Sequence, residues 1–577
     1  MAVSKGDLAV DVRVSEALAA RIGEKLADAA RDDVSGRVRD GDATLWAPAG
    51  TPEVSNRLGW LTIAERMTGE IDELEAFAAQ VRDEGVRDVV LLGMGGSSLA
   101  PEVLRRTFAP REGYPRLHVL DSTDAATILR VGDAVDLERT LFIVSSKSGG
   151  TIEPLSLFAH FFSLVERGES FIAITDPGTG LEQLARERGF RRTFHGDPDI
   201  GGRYTALSPF GIVPAALIGL DVRALLGGAA HAWTTELGAF DATAPARAAE
   251  MPDPRALGAH VCLGAALSAL ALAGRDKLTF LIGESLPGLG LWLEQLFAES
   301  TGKHGTGILP VADEPLGEPG EYAEDRVFAY LPDVSRPDAE LDAAARALAD
   351  AGHPLITIPT RGPEDLGRVF MLAELAVAVA GWGLSINPFD QPNVQQAKDA
   401  TKRVLDAYEA SGRLDEPASA RSGELRGLLA RASPPAYVAI MGYAEPSDAF
   451  DAAAAELRGA IRAGETGAAE ATTTFGYGPR FLHSTGQFHK GGPKTGLFVQ
   501  IVHDGPRDVA IPGESYSFTT LKNAQAIGDL QTLRELGLAA AHVRLEGENA
   551  ATALRELTAR VGGAAVEHVA TSKDDDE

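Results

Sequence analysis

Residues 140–153 read TLFIVSSKSGGTIE, an apolar run that ends in a turn rich in hydroxyl groups and glycine. The apolar part does not alternate between polar and apolar residues, which is typical of a strand buried on both faces of a parallel sheet. The same pattern occurs in DVVLLG (88–93), RLHVLDS (116–122) and SFIAITD (170–176), and helical stretches separate these runs. Alternating strands and helices of this kind predict an α/β domain whose parallel sheet is covered by helices.

A second set of apolar runs predicts a second α/β domain. It consists of KLTFLIG (277–283), RVFAYLPD (326–333), PLITIPT (354–360), YVAIMGY (437–443) and GLFVQIVHD (496–504). Ala-rich stretches with helical periodicity lie between several of these runs. Ligands of such sheets bind at the carboxyl ends of the strands, so the loops that follow the strands are the places to search for a site.

These patterns divide the chain into four predicted segments. Residues 1–75 are polar and helical, and we interpret them as packing elements without chemistry. Residues 76–250 and 251–460 are the two α/β domains. Residues 461–577 form a C-terminal segment, and residues 465–474 (ETGAAEATTT) are predicted to be a loop.

The charge of the chain limits its partners. The 577 residues carry a formal net charge of −28 at pH 7. Nucleic acids and anionic membranes attract positive surfaces, so this charge argues against both. An anionic ligand is also repelled at long range, and backbone N–H groups, helix N-termini and a few Lys or Arg side chains must hold it locally. The single cysteine, Cys262, excludes an intrachain disulfide and a Cys-x-x-Cys metal site.

The N-terminal residues MAVSKGDLAVDVRV contain no apolar core of signal-peptide length, which favours a cytoplasmic protein. The apolar run at 256–274 approaches membrane-spanning length. It contains His260 and Ser268, and we interpret it as a buried helix.

Two loops follow predicted strands and suit a phosphate group. Ser145–Glu153 combines hydroxyls, Lys147 and two glycines, which can surround phosphate oxygens without adding bulk. Gly93–Ser98 (GMGGSS) lets the backbone approach an anion at the start of a helix. The loop Gly93–Ser98 also permits a dinucleotide site, in which Asp121 would bind a ribose. Ser98, however, occupies a position at which that site requires glycine.

Two further segments carry candidate chemistry. In Asp199–Thr205 (DIGGRYT) two glycines clear space for Arg203 to face a ligand. Glu299 lies at the end of a predicted helix in LEQLFAESTGK (293–303). Its carboxylate is either a base with a raised pKa or an ordinary solvated helix-end residue, and its own surroundings in the sequence do not decide between them.

Six motifs together resemble the glucose-6-phosphate isomerase family, whose core consists of two sugar-isomerase (SIS) domains. They are GMGGSS (93–98), SSKSGGTIE (145–153), DIGGRYTALSPFG (199–211), LEQLFAESTGK (293–303), NPFDQPNVQQAK (387–398) and FLHSTGQ (481–487). The resemblance implies an α/β fold with two SIS-type domains, parallel sheets flanked by helices and a helical N-terminal segment. It also implies reversible isomerisation of glucose 6-phosphate and fructose 6-phosphate through an enediolate, a step of glycolysis and gluconeogenesis, without a cofactor or a metal.

The same resemblance implies roles for single residues. Glu299 would be the catalytic base, Arg203 would lie at the reacting carbons, and Lys398 and His483 would open the sugar ring. The implied substrate contacts are Gly96, Ser97, Ser146, Lys147, Ser148, Thr151, Glu153, Gly202, Gln295 and Gln391.

The chain departs from the family pattern in two places. His483 follows Lys398, whereas the histidine motif usually comes first, and His489 is a competing candidate six positions later. Asn393–Gln395 replaces the usual glycine, valine and glutamate. The motif order resembles the isomerase part of transaldolase–isomerase fusion proteins, but the residues before 93 leave no room for a transaldolase barrel, so one activity is expected. The family contains dimers in which the neighbouring subunit supplies the ring-opening histidine. The sequence is compatible with both a homodimer and a monomer.

Two other functions are compatible with parts of the sequence. A non-catalytic sugar-phosphate sensor would keep the phosphate loops but would not need Glu299, Arg203 and His483 together. A nicotinamide-dependent enzyme would use GMGGSS and Asp121. The expected partner in the favoured function is a small sugar phosphate.

Overall fold

The computed structural model describes residues 8, 10–238, 257–468 and 470–563. Within these residues the chain forms 14 strands. In chain order they are β1 (Asp11–Arg13), β2 (Asp88–Gly93), β3 (Arg116–Leu120), β4 (Thr140–Ser145), β5 (Phe171–Thr175), β6 (Arg192–His195), β7 (Lys277–Ile282), β8 (Leu309–Val311), β9 (Arg326–Leu331), β10 (Leu355–Thr357), β11 (Tyr437–Tyr443), β12 (Thr472–Tyr477), β13 (Gly496–Val502) and β14 (Ala539–Arg544).

Helices precede the first sheet and connect the strands. In chain order they are α1 (Glu16–Arg31), α2 (Val34–Arg39), α3 (Ile63–Thr68), α4 (Ile71–Asp83), α5 (Leu99–Thr107), α6 (Ala125–Ala134), α7 (Ile152–Val165), α8 (Gly180–Glu187), α9 (Pro209–Leu217), α10 (Val222–Gly238), α11 (Ala259–Leu272), α12 (Leu289–Thr301), α13 (Ala339–Asp350), α14 (Leu366–Gly383), α15 (Val394–Ser411), α16 (Ser422–Leu429), α17 (Asp448–Arg462), α18 (Gly486–Gly491), α19 (Phe518–Glu535) and α20 (Ala550–Val561). Three short 3-10 turns, at Gly95–Ser97, Gly202–Tyr204 and Arg480–His483, also belong to the site described below.

The first sheet has the order β3-β2-β4-β5-β6, and all its strand pairs are parallel. Every residue of β2 and β4 is buried, in agreement with the unbroken apolar pattern of these strands. The chain leaves β2 toward one edge of the sheet and leaves β4 toward the other. The crevice at the carboxyl ends of β2 and β4, where Gly93 pairs with Ser145, is therefore the point at which α/β sheets bind ligands.

The second sheet has the order β1-β10-β9-β7-β8. Its strands are parallel except β1, which pairs antiparallel with β10. The N-terminal segment, predicted to be helical, therefore also contributes an edge strand. With only three residues, β1 is too short to produce a recognisable period in the sequence.

A third parallel sheet has the order β12-β11-β13-β14. The runs YVAIMGY and GLFVQIVHD, which the sequence analysis placed in the second set, are β11 and β13 of this sheet. The predicted loop at 465–474 is wrong for Thr472–Thr474, which begin β12 and pair with β11. These threonines are buried because β12 packs on α17, and a polar run of this kind carries no apolar signal of its own.

The predicted α/β class with parallel sheets flanked by helices is confirmed. The domain bounds stay a prediction, and the bound between residues 250 and 251 lies outside the described residues. The apolar run at 256–274 contains α11, and residues 259–270 of that helix are all buried. Residue 256 lies outside the described residues. Among the described residues, the helical stretch Gly362–Gly383 has the length and composition of a membrane span, but 89% of its most apolar 18-residue window is buried inside the protein.

Candidate active site

A cleft of about 290 Å³ opens at the carboxyl ends of β2 and β4. Segments distant in sequence form its wall, because loops after the strands of the first sheet meet α12, α15 and the turn Arg480–His483 there. The lining residues are Arg57, Met94, Gly95, Gly96, Ser97, Lys147, Ser148, Thr151, Asp176, Ile200, Gly201, Gly202, Gln295, Glu299, Gln391, Lys398 and His483.

Most of the predicted site residues meet in this cleft. Three do not form part of its wall: Arg203, Ser146 and Glu153. Each is buried directly behind a lining residue, and the contacts described below show which one.

One end of the cleft is formed by the hydroxyl-rich loop after β4. Ser148 and Thr151 line it, with their hydroxyl oxygens 3.4 Å apart. The Ser146 hydroxyl instead donates to Thr151 Oγ1 at 3.0 Å, so Ser146 orients a lining residue. Lys147 Nζ pairs with the Asp176 carboxylate and donates to the backbone oxygen of Asp197 at 3.1 Å.

The glycine loop after β2 lies directly against the loop that carries Arg203. A methyl group built on Gly96 would lie 1.8 Å from the backbone oxygen of Gly202. Thr205 Oγ1 lies 2.7 Å from the backbone oxygens of both glycines and so bridges the two loops. Gly96 is thus required for this close approach of two backbones, whereas a methyl group on Gly202 would meet nothing within 4 Å.

Glu299 lies in the last turn of α12, and Gln295 lies one turn earlier on the same face of the helix. Glu299 is 6% exposed, and its Oε2 is 3.2 Å from Arg203 Nε. Burial raises the pKa of the Glu299 carboxyl, against the opposing effects of the Arg203 guanidinium and then of the Gln295 amide. The alternative of a solvated helix-end residue is therefore wrong for Glu299.

Arg203 is 1% exposed and binds the segment 387–391. Its terminal nitrogens donate to the backbone oxygens of Pro388, Phe389 and Asp390 and to the side-chain oxygen of Gln391. Its Nε makes no hydrogen bond and faces Glu299. The guanidinium thus joins the base candidate to the lining residue Gln391.

Lys303 adds a second buried cation behind the cleft. Its Nζ donates to Asn387 O at 2.6 Å and to Asp390 Oδ1 at 2.7 Å. Burial, followed by the nearby charge of Arg203, lowers the pKa of Lys303 to about 7, against the opposing effects of Asp390 and Glu299.

His483 lies in the cleft wall at the carboxyl side of β12. Its Nε2 is 2.9 Å from Glu153 Oε1, and its backbone oxygen accepts a hydrogen bond from Gln295 Nε2 at 2.8 Å. Lys398, in the first turns of α15, lines the cleft beside it. The competing candidate His489 is outside this cleft: its Nδ1 bonds to the Tyr437 hydroxyl at 2.9 Å, and burial lowers its pKa to about 3.

Glu153 is 3% exposed and lies behind His483, in the first turn of α7. Burial acts to raise the pKa of its carboxyl, but the charge of His483 and, to a smaller extent, that of Lys398 hold this pKa below its ordinary value. The carboxylate is therefore ionised and accepts the hydrogen on His483 Nε2. Nδ1 is then the ring nitrogen left to exchange a proton.

Sequence reasoning missed two charged lining residues, Arg57 and Asp176. Arg57 comes from the N-terminal segment, to which no chemistry was assigned, and nothing in TPEVSNRLGW distinguishes it. Asp176 directly follows β5, so its position at a carboxyl end was a usable signal.

Asp121 was the ribose-binding residue of the dinucleotide alternative. Both its carboxylate oxygens accept hydrogen bonds from Arg480, at 2.7 Å each. Asp121 is 4% exposed, so this carboxylate is already occupied by a cation and shielded from a ligand.

Comparisons with known proteins identify the family of the chain. A family model described as phosphoglucose isomerase matches residues 63–248. A glucose-6-phosphate isomerase of Rubrobacter xylanophilus is 33% identical over 382 residues, which cover 56% of this chain and 84% of that protein. A glucose-6-phosphate isomerase of Thermus thermophilus is 29% identical over 408 residues, covering 63% and 92%. The crystal structure of a glucose-6-phosphate isomerase from Chlamydia trachomatis has a TM-score of 0.56 at 18% identity, covering 70% and 89%, and shares the fold.

Proposed function

The chain belongs to the phosphoglucose isomerase family, and we propose that it interconverts glucose 6-phosphate and fructose 6-phosphate by proton transfer through an enediolate. This reaction is a step of glycolysis and gluconeogenesis. The observation that carries the proposed mechanism is the shared cleft: the Glu299 carboxyl, the His483 ring and the hydroxyl-rich loop line one cavity.

Glu299 is the proposed base. Aldose–ketose isomerisation removes a proton from C2 of the aldose and returns one to C1, so a single carboxylate placed beside both carbons is sufficient. Exclusion of water makes this carboxylate a stronger base than an exposed glutamate, and a positioned base accelerates such a step about 100- to 10,000-fold. We assign to Arg203 the role of balancing negative charge on the enediolate, because its guanidinium Nε lies 3.2 Å from the proposed base Glu299.

His483 and Lys398 are the proposed ring-opening pair. Hexose phosphates arrive as rings, and opening the ring needs a proton moved from the anomeric hydroxyl to the ring oxygen. The imidazole of His483 is held by Glu153, and Lys398 lies on the same wall. An acid and a base on one wall can exchange these protons.

The phosphate is assigned to the loop after β4 and to Gln391. Lys147, Ser148 and Thr151 offer a charge and two hydroxyls at this end of the cleft. Binding energy from a phosphate that does not react can hold C1 and C2 in place against Glu299. Because phosphorylated sugars do not cross membranes unaided, we expect the protein to act in the cytoplasm.

The direct test is Glu299→Gln, which retains the size of the side chain but removes the base. In a coupled assay that converts fructose 6-phosphate to glucose 6-phosphate, we expect turnover to fall about 100- to 10,000-fold. Binding of fructose 6-phosphate, measured by calorimetry, should change little, because the phosphate contacts are intact.

The neighbouring glutamate on α12 provides a matched control. Glu294 is also 6% exposed, but it does not line this cleft and accepts a hydrogen bond from the backbone N–H of Ala312. Burial, followed by the charge of Asp313, raises its pKa to about 8, so at neutral pH its carboxyl is mostly protonated and resembles an amide. Glu294→Gln should keep most of the activity. Activity of Glu299→Gln within about tenfold of the parent would refute the base assignment.

A further inference from the structure

Glu153 accepts two hydrogen bonds on the same carboxylate oxygen. His483 Nε2 lies 2.9 Å from Oε1, and Gln525 Nε2 lies 2.7 Å from it. Gln525 belongs to α19, 372 positions later in the chain than Glu153, and is only 2% exposed. The carboxylate that holds His483 is therefore itself held from a second side.

The orientation of the Gln525 amide is determined by its two neighbours. An ionised carboxylate can only accept, so the NH₂ group must face Glu153. The amide oxygen then faces Thr123, whose hydroxyl donates to it at 2.8 Å. Thr123 is fully buried in the loop between β3 and α6. A chain of three hydrogen bonds thus runs from Thr123 through Gln525 and Glu153 to His483.

A glutamine in this position is not explained by packing alone. Burial of an amide is unfavourable unless its donor and its acceptor both find partners, and an apolar side chain of the same length would fill the space. Gln525 has a partner for each end, and its donor is directed at the carboxylate behind the proposed ring-opening residue. These two hydrogen bonds indicate that Gln525 orients the Glu153 carboxylate.

We propose that Gln525 is a positioning residue for ring opening: it fixes the Glu153 carboxylate so that His483 stays in the orientation and tautomer that present its free nitrogen to the sugar. This inference rests on the proposed function, in which His483 opens the ring. The charged and titratable groups around Glu153 include Lys398 from α15 and Tyr443 from β11 in addition to His483. Gln525 carries an amide that does not ionise, so its N–H donor is present at every pH at which the protein is folded.

The test compares a substrate that must be opened with one that is already open. Fructose 6-phosphate is cyclic, whereas 5-deoxyfructose 6-phosphate lacks the oxygen that closes the furanose ring. Gln525→Met retains the length of the side chain and removes both hydrogen bonds. We expect kcat/KM for fructose 6-phosphate to fall about tenfold, which corresponds to the loss of a hydrogen bond to a charged group. The open substrate should stay within about threefold of the parent.

Two further variants keep the test decisive. Thr123→Val removes only the hydroxyl that orients the amide, so we expect a smaller fall in the same direction, even if Gln525→Met folds poorly. Gln500→Met is the matched control: Gln500 is also buried, and its Nε2 donates to Ala526 O of the same helix at 2.8 Å. This change should not discriminate between the two substrates.

The outcomes separate this inference from the proposed function. A proportional fall on both substrates, or no fall on fructose 6-phosphate, in Gln525→Met and Thr123→Val would overturn the positioning role while the isomerase activity of the parent stands. A parent protein that isomerises neither substrate would instead refute the proposed function, and the inference with it.

Discussion

At the scale of single residues, the charge pair formed by Glu299 and Arg203 governs the proposed chemistry. The Arg203 side chain is fully buried and that of Glu299 is 8% exposed, so water screens their interaction weakly. Burial favours the neutral carboxyl, and Arg203 favours the ionised form. The net effect is a carboxyl group with a raised pKa, and the fixed cation beside it opposes part of that rise.

This raised pKa leads to a pH prediction. Glu299 must be ionised to act as a base, so activity is lost as pH falls through its pKa and is fully present above it. We expect the acid limb of kcat/KM for fructose 6-phosphate to have its midpoint above 4.5, the ordinary value for this group. A midpoint at or below that value would contradict the assignment.

The substrate phosphate also titrates, with a second pKa of about 6, and could produce an acid limb of its own. Repeating the profile with a phosphonate analogue of the substrate, whose second pKa differs, separates the two. A limb that belongs to Glu299 stays in place when the analogue is used.

At the scale of elements, the site depends on two short loops whose backbones touch. The turn Gly95–Ser97 follows β2, and the turn Gly202–Tyr204 precedes α9. Their separation is set by the contact between the Gly96 and Gly202 backbones and by the bridging hydroxyl of Thr205. Any added atom at this contact moves both loops, and both line the cleft.

Gly96→Ala tests this contact. The new methyl group would lie 1.8 Å from Gly202 O, which belongs to backbone and cannot rotate away. We expect a loss of about 1–3 kcal/mol in the free energy of unfolding, the usual cost of overpacking. Activity should fall by more than this loss of stability explains, because the loops that line the cleft separate. Urea unfolding and steady-state kinetics measure the two effects.

Gly283→Ala is the control for this prediction. Gly283 also follows a strand, β7, but a methyl group there meets nothing within 4 Å, and its φ angle is not positive. Its stability and its activity should both match the parent. A Gly96→Ala variant equal to this control would contradict the proposed loop contact.

At the scale of the whole molecule, one chain brings together groups from all three sheets. The first sheet provides the hydroxyl-rich loop after β4, the helix after β7 of the second sheet provides Glu299, and the turn after β12 of the third sheet provides His483. Lys522, 1% exposed, ties the third sheet to the first: its Nζ donates to Asp124 Oδ2 at 2.8 Å and to His503 O at 2.6 Å.

This arrangement predicts that the site is complete within one chain. When inactive Glu299→Gln and His483→Ala chains are mixed under verified subunit exchange, we expect no activity to return. Sedimentation of the parent should be measured alongside, since an oligomer with independent sites gives the same result as a monomer. Regained activity in the mixture would show that the histidine acts in a neighbouring chain.

Much of the fold and of the candidate site could be predicted because the relevant signals are local. The buried strands β2, β4 and β5 were predicted from unbroken apolar runs, the turn after β4 from its hydroxyls and glycines, and the position of Glu299 from the end of an apolar helix. Strands β12 and β14 were missed because Thr-rich and Ala-rich runs have no such pattern.

The amino-acid sequence by itself determined which segments form strands and which form helices. It also determined the loops at the carboxyl ends of the strands and the residue types available for proton transfer. Only the tertiary structure decided which of these side chains touch. It placed His483 rather than His489 in the cleft, turned Arg203 toward Glu299 and Gln391, and set Glu153 and Gln525 behind the histidine. The physical reason is range: hydrophobic periodicity is set by neighbours along the chain, whereas Glu153 and His483 are 330 positions apart and meet only when separate sheets pack together.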